Sequence, residues 1–153
     1  INIDPKHDEV VEPLADLLQR IGALDRVCIG SFSDRRLERL RAQFGRRICT
    51  SMGPREVAAL RAGSLGLGRP RRVADCVQVP TSMGGLPLVD RRFVARAHAA
   101  DLAVHIWTID EADEMNRLLD LGVDGIMTDR PATLRSVLQL RGQWSEPPAS
   151  PAT

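Results

Sequence analysis

Short apolar runs alternate with amphipathic segments along almost the whole chain, and this alternation constrains its fold more than any other feature. Strands are predicted at residues 1–4, 27–30, 48–50, 76–79, 104–108 and 123–128, and a helical pattern follows each of them. Strict alternation predicts parallel strands joined by helical crossovers. Two architectures satisfy it: a doubly wound open sheet and a (β/α)8 barrel.

The length of the chain limits how much of such a fold it contains. Its 153 residues are enough for one domain with a core. A whole barrel takes about 250 residues, so the chain has room for five or six β/α units. These units are predicted to occupy residues 1–141, and the Pro/Ser-rich residues 142–153 are predicted to form a disordered tail.

Composition excludes several classes of partner. The 21 Lys and Arg residues are balanced by 20 Asp and Glu residues, and aromatic residues make up 3% with no tyrosine. We therefore expect no nucleic-acid binding, because both the positive surface and the stacking rings are lacking. No apolar run approaches the length of a membrane-spanning helix, and the expected location is cytoplasmic.

The three cysteines, Cys28, Cys49 and Cys76, each lie in or beside a short apolar run. They are far apart in the sequence, odd in number, and spaced unlike a zinc-binding motif. The pattern therefore predicts reduced thiols packed in a core, not a disulfide framework.

Polar and aromatic residues follow the predicted strands, at the sheet edge where ligands bind in both architectures. The main candidates are Asp4, Lys6, Phe32, Gln78 and Trp107. A carboxylate suits a hard cation, an ammonium suits a phosphate oxygen, and an indole covers an organic group. Four of them also have a purely structural interpretation: a solvated turn for Asp4 and Lys6, loop hydrogen bonding for Gln78, and core packing for Trp107. Two further acids, Asp110 and Asp129, are predicted to be helix N-caps.

Four stretches resemble the later half of a bacterial glycerophosphodiester phosphodiesterase: "NIDPK", "VCIGSFSD", "CVQVP" and "VHIWTIDEADEMNRLLDLGVDGIMTDRP". The resemblance extends from Ile1 to about Leu140, and the last stretch is the most specific. It implies a partial (β/α)8 barrel and hydrolysis of glycerophosphodiesters to an alcohol and sn-glycerol 3-phosphate, with Ca²⁺ or Mg²⁺ as cofactor.

The resemblance also implies roles for individual residues. Asn2-Ile3-Asp4-Pro5-Lys6 matches a family motif of the form Asn-Ile-Glu-x-Lys, with Asp in place of Glu. Asp4 is thereby expected to be a metal ligand and Lys6 a catalytic residue facing the phosphate. Trp107 matches the family's substrate-side tryptophan. Phe32 and Gln78 match positions lining the same mouth.

Other motifs of that family precede the region that this chain matches: a His-Arg pair, a Glu-x-Asp metal pair and a second catalytic histidine. None of the chain's histidines, His7, His98 and His105, is expected to replace them. We therefore expect the chain to begin in the middle of a barrel and to be inactive, or nearly so, by itself. Its open strand edges would be covered by the missing barrel half, by self-association or by loops.

Two alternatives stay open at this point. One is a non-catalytic, phosphodiesterase-like module that binds a ligand or serves as a scaffold. The other is a related phosphodiesterase acting on lysophospholipid or sphingolipid, for which the apolar residues 81–89, "TSMGGLPLV", would provide peripheral lipid contact.

Overall fold

A computed structural model of the chain describes residues 1–68 and 73–145. Most of the predicted tail, residues 146–153, therefore lies outside the described residues. None of the helices within the described ranges is both long enough and apolar enough to cross a membrane.

Six strands run parallel, and each is followed by a helix. The parallel strands are β1 (Asn2–Ile3), β2 (Cys28–Ile29), β3 (Cys49–Thr50), β4 (Cys76–Val79), β7 (Ala103–Ile106) and β8 (Gly125–Ile126). The helices that follow them are α1 (Val11–Arg20), α2 (Asp34–Phe44), α3 (Pro54–Ser64), α4 (Arg91–His98), α5 (Ala112–Leu121) and α6 (Pro131–Leu140). A hairpin of β5 (Ser82–Met83) and β6 (Leu86–Pro87) lies between β4 and α4.

The parallel strands are arranged in the order in which they occur in the chain. β1, β2 and β3 form one group and β4, β7 and β8 another. A parallel bridge from Ser51 to Cys76 joins the groups, and Met52 N donates to Cys76 O at 2.8 Å. A doubly wound sheet reverses its strand order at a switch point, and this sheet does not. The arrangement is therefore six consecutive units of a (β/α)8 barrel, as predicted.

Side chains alternate between the helix layer and the barrel interior. On the outer face, Ile29 packs in a cluster with residues of α1 and α2, while Val77 and Val104 pack with Phe93 and other residues of the later helices. Their neighbours in sequence point to the other side, where Gln78 Nε2 donates to Asn2 Oδ1 at 3.1 Å. This bond joins β4 to β1, so the sheet is curled around an interior.

The hairpin is built around a glycine pair. Gly84 and Gly85 have φ values of 58° and 78°, which form the tight two-residue turn of a hairpin. Met83 and Leu86, on either side of this turn, are 55% and 73% exposed. The hairpin therefore presents apolar side chains to solvent.

Two predicted N-caps were wrong. α5 begins at Ala112 with Glu111 in the cap position, and α6 begins at Pro131 with Arg130 in the cap position. Asp110 instead accepts hydrogen bonds from Thr128 Oγ1 at 2.8 Å and Asp129 N at 2.9 Å. These bonds tie the segment after β7 to the segment after β8.

The apolar residues of the first helical segment are only partly buried. Val11 and Leu18 are buried, whereas Val10, Leu17 and Ile21 are exposed. Val10 belongs to a 3₁₀ turn that precedes α1. Among the described elements, α1 lies at the end of the helix row and is covered by α2 on one side only.

Candidate active site

The carboxyl ends of the strands surround a cavity of about 340 Å³. All five predicted site residues line it: Asp4, Lys6, Phe32, Gln78 and Trp107. They come from β1, β2, β4 and β7, so the curled sheet brings together groups that are up to a hundred positions apart in the sequence. The cavity is also lined by Ser31, Ser51 and several apolar side chains, including Met52, Met83 and Met127.

Asp4 and Lys6 form an ion pair at the mouth of the cavity. The Asp4 side chain is 31% exposed and the Lys6 side chain 68%, so solvent screens the pair strongly. Pro5 between them is buried, and this fixes the turn that places both charged groups on the cavity side. The lysine remains accessible to an anionic ligand.

Arginines of α2 hold the segment that carries this turn. Arg36 donates from Nη1 to Pro5 O at 3.1 Å and from Nε to Asp8 Oδ1 at 2.7 Å. Arg39 Nη1 donates to Asp8 O at 3.2 Å, and Arg35 also pairs with the Asp8 carboxylate. The residues after β1 are therefore anchored by side chains from the next β/α unit.

Two aromatic rings lie beside the ion pair. The rings of Phe32 and Trp107 meet edge to face, with centroids 5.8 Å apart and an interplanar angle of 80°. Lys6 Nζ lies 6.0 Å from the centroid of the Phe32 ring. A ligand in the cavity would therefore meet the cation and the aromatic rings at neighbouring positions.

Gln78 spans the interior below these rings. Its Nε2 lies 3.1 Å from Asn2 Oδ1 and 3.4 Å from His105 Nδ1. A side chain at Gly30 would place its Cβ 2.8 Å from Gln78 Oε1, so the amide would have to move to make room for it. Gln78 therefore forms a polar floor to the cavity.

His105 lies beside this floor and is half-buried. Burial lowers its pKa below the ordinary value, and the negative charge of Asp124 opposes that shift without overcoming it. The imidazole is consequently neutral near pH 7. His105 is not among the described residues that line the cavity.

Asp110 stabilises the side of the cavity that Thr108 and Met127 line. Hydrogen bonds from Thr128 and from the backbone N–H of Asp129 lower the pKa of its carboxyl group. Ile109 N also donates to Met127 O at 3.0 Å. Since Thr108 and Met127 line the cavity, these bonds fix the position of that wall.

The cavity offers few ligands for a hard cation. Asp4 is the one carboxylate among its described lining residues. Ca²⁺ takes about six to eight oxygen ligands, and Mg²⁺ usually has one or two carboxylates with substrate oxygens and water. The described residues therefore do not by themselves make a calcium or magnesium site.

One cluster was missed by the sequence analysis. Cys28, Cys49 and Cys76 are separate in the sequence, yet their Sγ atoms all lie within 4.8 Å of one another. All three are free thiols, as predicted, although Cys28 and Cys49 are only partly buried. Burial raises the pKa of Cys49 to about 12, so this thiol is protonated at neutral pH and is not a nucleophile. The register of the strands could have revealed the cluster, because Cys28 and Cys49 are paired positions on adjacent strands.

The sequence model of the glycerophosphoryl diester phosphodiesterase family matches residues 1–133. The chain belongs to this family. A protein of Mycobacterium tuberculosis named probable glycerophosphodiester phosphodiesterase 2 is 44% identical over 149 residues, which are 94% of this chain and 56% of that protein. Proteins of the family are generally metal-dependent.

Solved structures show the same fold. A putative glycerophosphoryl diester phosphodiesterase from Silicibacter pomeroyi has a TM-score of 0.67 at 24% identity, over 94% of this chain and 50% of that one. An Oleispira antarctica phosphodiesterase in complex with the product sn-glycerol-3-phosphate has a TM-score of 0.61 at 16% identity, over 90% of this chain and 54% of that one. The chain thus spans about half the length of these relatives.

Proposed function

We propose that the protein hydrolyses glycerophosphodiesters to an alcohol and sn-glycerol 3-phosphate with the help of a divalent cation, Ca²⁺ or Mg²⁺. The observation that carries the proposal is the convergence of Asp4, Lys6 and Trp107 on one cavity within a family of this activity. In this reaction water adds to phosphorus and the alcohol oxygen leaves with a proton.

Each site residue has a proposed part in that reaction. Lys6 is proposed to be catalytic, because its ammonium group can donate to a phosphoryl oxygen as negative charge builds up there. The Phe32 and Trp107 rings are proposed to bind the apolar face of the glycerol or alcohol group, and Gln78 a hydroxyl group at the cavity floor. Asp4 is proposed to be one ligand of the cation.

We propose that the remaining ligands and the acid–base groups lie on two further strands, which would complete a barrel of eight. β1 and β8 are the edge strands of the described sheet, and exposed edges favour pairing with another segment. Those strands come either from sequence outside the printed chain or from self-association. The mass of the purified protein at several concentrations distinguishes the two, because only self-association gives a mass that rises with concentration.

The test is an assay of the complete reading frame and of the 153-residue chain on sn-glycero-3-phosphocholine, with release of sn-glycerol 3-phosphate as the readout. We expect the complete protein to be active, to lose activity with a chelator, and to regain it with Ca²⁺ or Mg²⁺. We expect almost no activity from the 153 residues alone. Full activity in chelator contradicts the role of the cation, and ligand binding without turnover by the complete protein supports a non-catalytic module instead.

A lysophospholipid is the second candidate substrate, and the hairpin of β5 and β6 is the observation that favours it. Met83 lines the cavity, and the exposed Leu86 lies next to the same turn. Phe32, which is 65% exposed, adds a third apolar side chain at the mouth. An acyl chain leaving the cavity would contact this rim, so comparing kcat/KM for a lysophospholipid and for glycerophosphocholine decides between the substrates.

We propose a cytoplasmic location, supported by the three free thiols, because reduced cysteines are typical of that compartment. Fractionation of cells that express the tagged complete protein tests it. Recovery outside the cytoplasm would contradict it.

A further inference from the structure

The three cysteines of the chain occupy one place in the barrel interior. Cys28, Cys49 and Cys76 come from three consecutive parallel strands, β2, β3 and β4. Cys28 is the register partner of Cys49, and Ser51, two positions after Cys49, bridges to Cys76. The cluster is therefore produced by rigid sheet pairing, not by mobile loops.

The cysteine cluster lies apart from the cavity at the carboxyl ends of the strands. None of the three cysteines lines that cavity. Gln78 separates the two, since its Nε2 lies 3.1 Å from Asn2 Oδ1 and 3.8 Å from Cys28 Sγ. The proposed hydrolysis uses none of these thiols.

The sulfur positions match those around a tetrahedral thiophilic ion. Zn–S bonds of about 2.3 Å place the sulfurs of such a site about 3.8 Å apart. Cys28 Sγ and Cys76 Sγ are 3.6 Å apart, and all three sulfurs lie within 4.8 Å of one another. The other sulfur–sulfur separations therefore exceed the value for one shared ion by at most about an ångström.

The surroundings also suit thiolates bound to a metal. The Gln78 amide points an N–H at Cys28 Sγ, and such donors stabilise the negative charge of a metal-bound thiolate. A disulfide between two of the cysteines would leave the third beside it without a partner. A single ion engages all three.

We propose that Cys28, Cys49 and Cys76 bind one zinc ion inside the barrel. Each thiol that binds gives up its proton to solvent, and water takes the fourth position. The ion joins β2, β3 and β4 below the cavity. It is separate from the proposed hard cation near Asp4.

Binding is tested on the reduced complete protein with Zn²⁺ and with Co²⁺ as the probes. We expect one Zn²⁺ per chain at sub-micromolar affinity, and protection of all three thiols from a thiol-counting reagent in proportion to bound zinc. Co²⁺ should give the near-ultraviolet charge-transfer absorption of a thiolate complex. These readouts need no variant, so they remain decisive if a cysteine variant does not fold.

Variants then assign the site. Cys28→Ser and Cys76→Ser should each lower zinc affinity at least 100-fold. The matched control is Ser51→Ala, which changes the same strand face and keeps every thiol, and it should leave zinc affinity unchanged. Three results would overturn the proposal: thiols that stay reactive in excess Zn²⁺, zinc binding that survives the cysteine substitutions, and a protein that loses two hydrogens in mass as a disulfide while binding no zinc.

Discussion

The indole of Trp107 meets the ring of Phe32 edge to face, with centroids 5.8 Å apart, although the two residues follow different strands. Edge-to-face pairs are worth about 0.5–1.5 kcal/mol beyond the area they bury. The pair therefore acts as one wall of the cavity, and losing either ring should weaken the other's contribution.

Alanine substitutions at the two rings test this coupling. We expect Trp107→Ala and Phe32→Ala each to raise KM of the complete protein, and the double variant to cost less than the sum of the single effects. The coupling should be about 2- to 12-fold in kcat/KM, matching the energy of the ring pair. Trp107→Phe is the conservative control. Strictly additive effects would show that the rings act separately.

Replacing Lys6 tests the proposed contact with phosphate. Lys6→Met should lower kcat/KM about 10- to 150-fold, because a charge-assisted hydrogen bond contributes about 1.5–3 kcal/mol. Lys6→Arg should retain part of the activity. Arg20→Met, at the exposed end of α1, removes the same charge far from the cavity and should have no effect. Equal losses in Lys6→Met and Arg20→Met would point to long-range electrostatics.

A steric test concerns the floor of the cavity. Gly30→Ala would bring a Cβ to 2.8 Å from Gln78 Oε1, the end of a flexible side chain, so we expect a loss of about 1 kcal/mol in the free energy of unfolding. In a Gln78→Ala background the same substitution should cost much less, because the amide is gone. Chemical denaturation of the four proteins gives the answer. An equal cost in both backgrounds would contradict the close contact of Gly30 with Gln78.

We expect the free energy of unfolding to depend on pH through His105, because burial lowers the pKa of its imidazole. As the pH falls below about 6.5, the unfolded chain binds a proton before the folded protein does, so the free energy of unfolding decreases. The contribution is fully present above that pH and stops changing below the folded-state pKa. His105→Gln should flatten the profile between pH 7 and 5, whereas the exposed His7→Gln should not. An unchanged profile in His105→Gln would show that other groups control it.

The strand–helix alternation could be predicted from the sequence because apolar residues recur along the chain at the spacing typical of each element. The sequence also placed Asp4, Lys6 and Trp107 at strand ends, which a parallel barrel brings to one mouth. Prediction from the sequence failed where hydrogen bonds between residues distant in the chain determine the local structure. Asp110 does not cap α5 because Thr128, eighteen positions away, donates to it.

Other features were missed for different reasons. β5 and β6 have two residues each, too short for a periodic signal, although the Gly84–Gly85 pair indicated a hairpin turn. The cysteine cluster depends on strand register, and spacing rules for zinc motifs describe loops, not neighbouring strands of a barrel.

The crossing of Gln78 from the fourth parallel strand to the first has a consequence for how this barrel can evolve. The same amide lines the cavity and contacts both Asn2 Oδ1 and Cys28 Sγ. A substitution at position 78 would therefore change the cavity floor and the surroundings of the thiols together. We expect these two regions of the barrel to tolerate change only in step with each other.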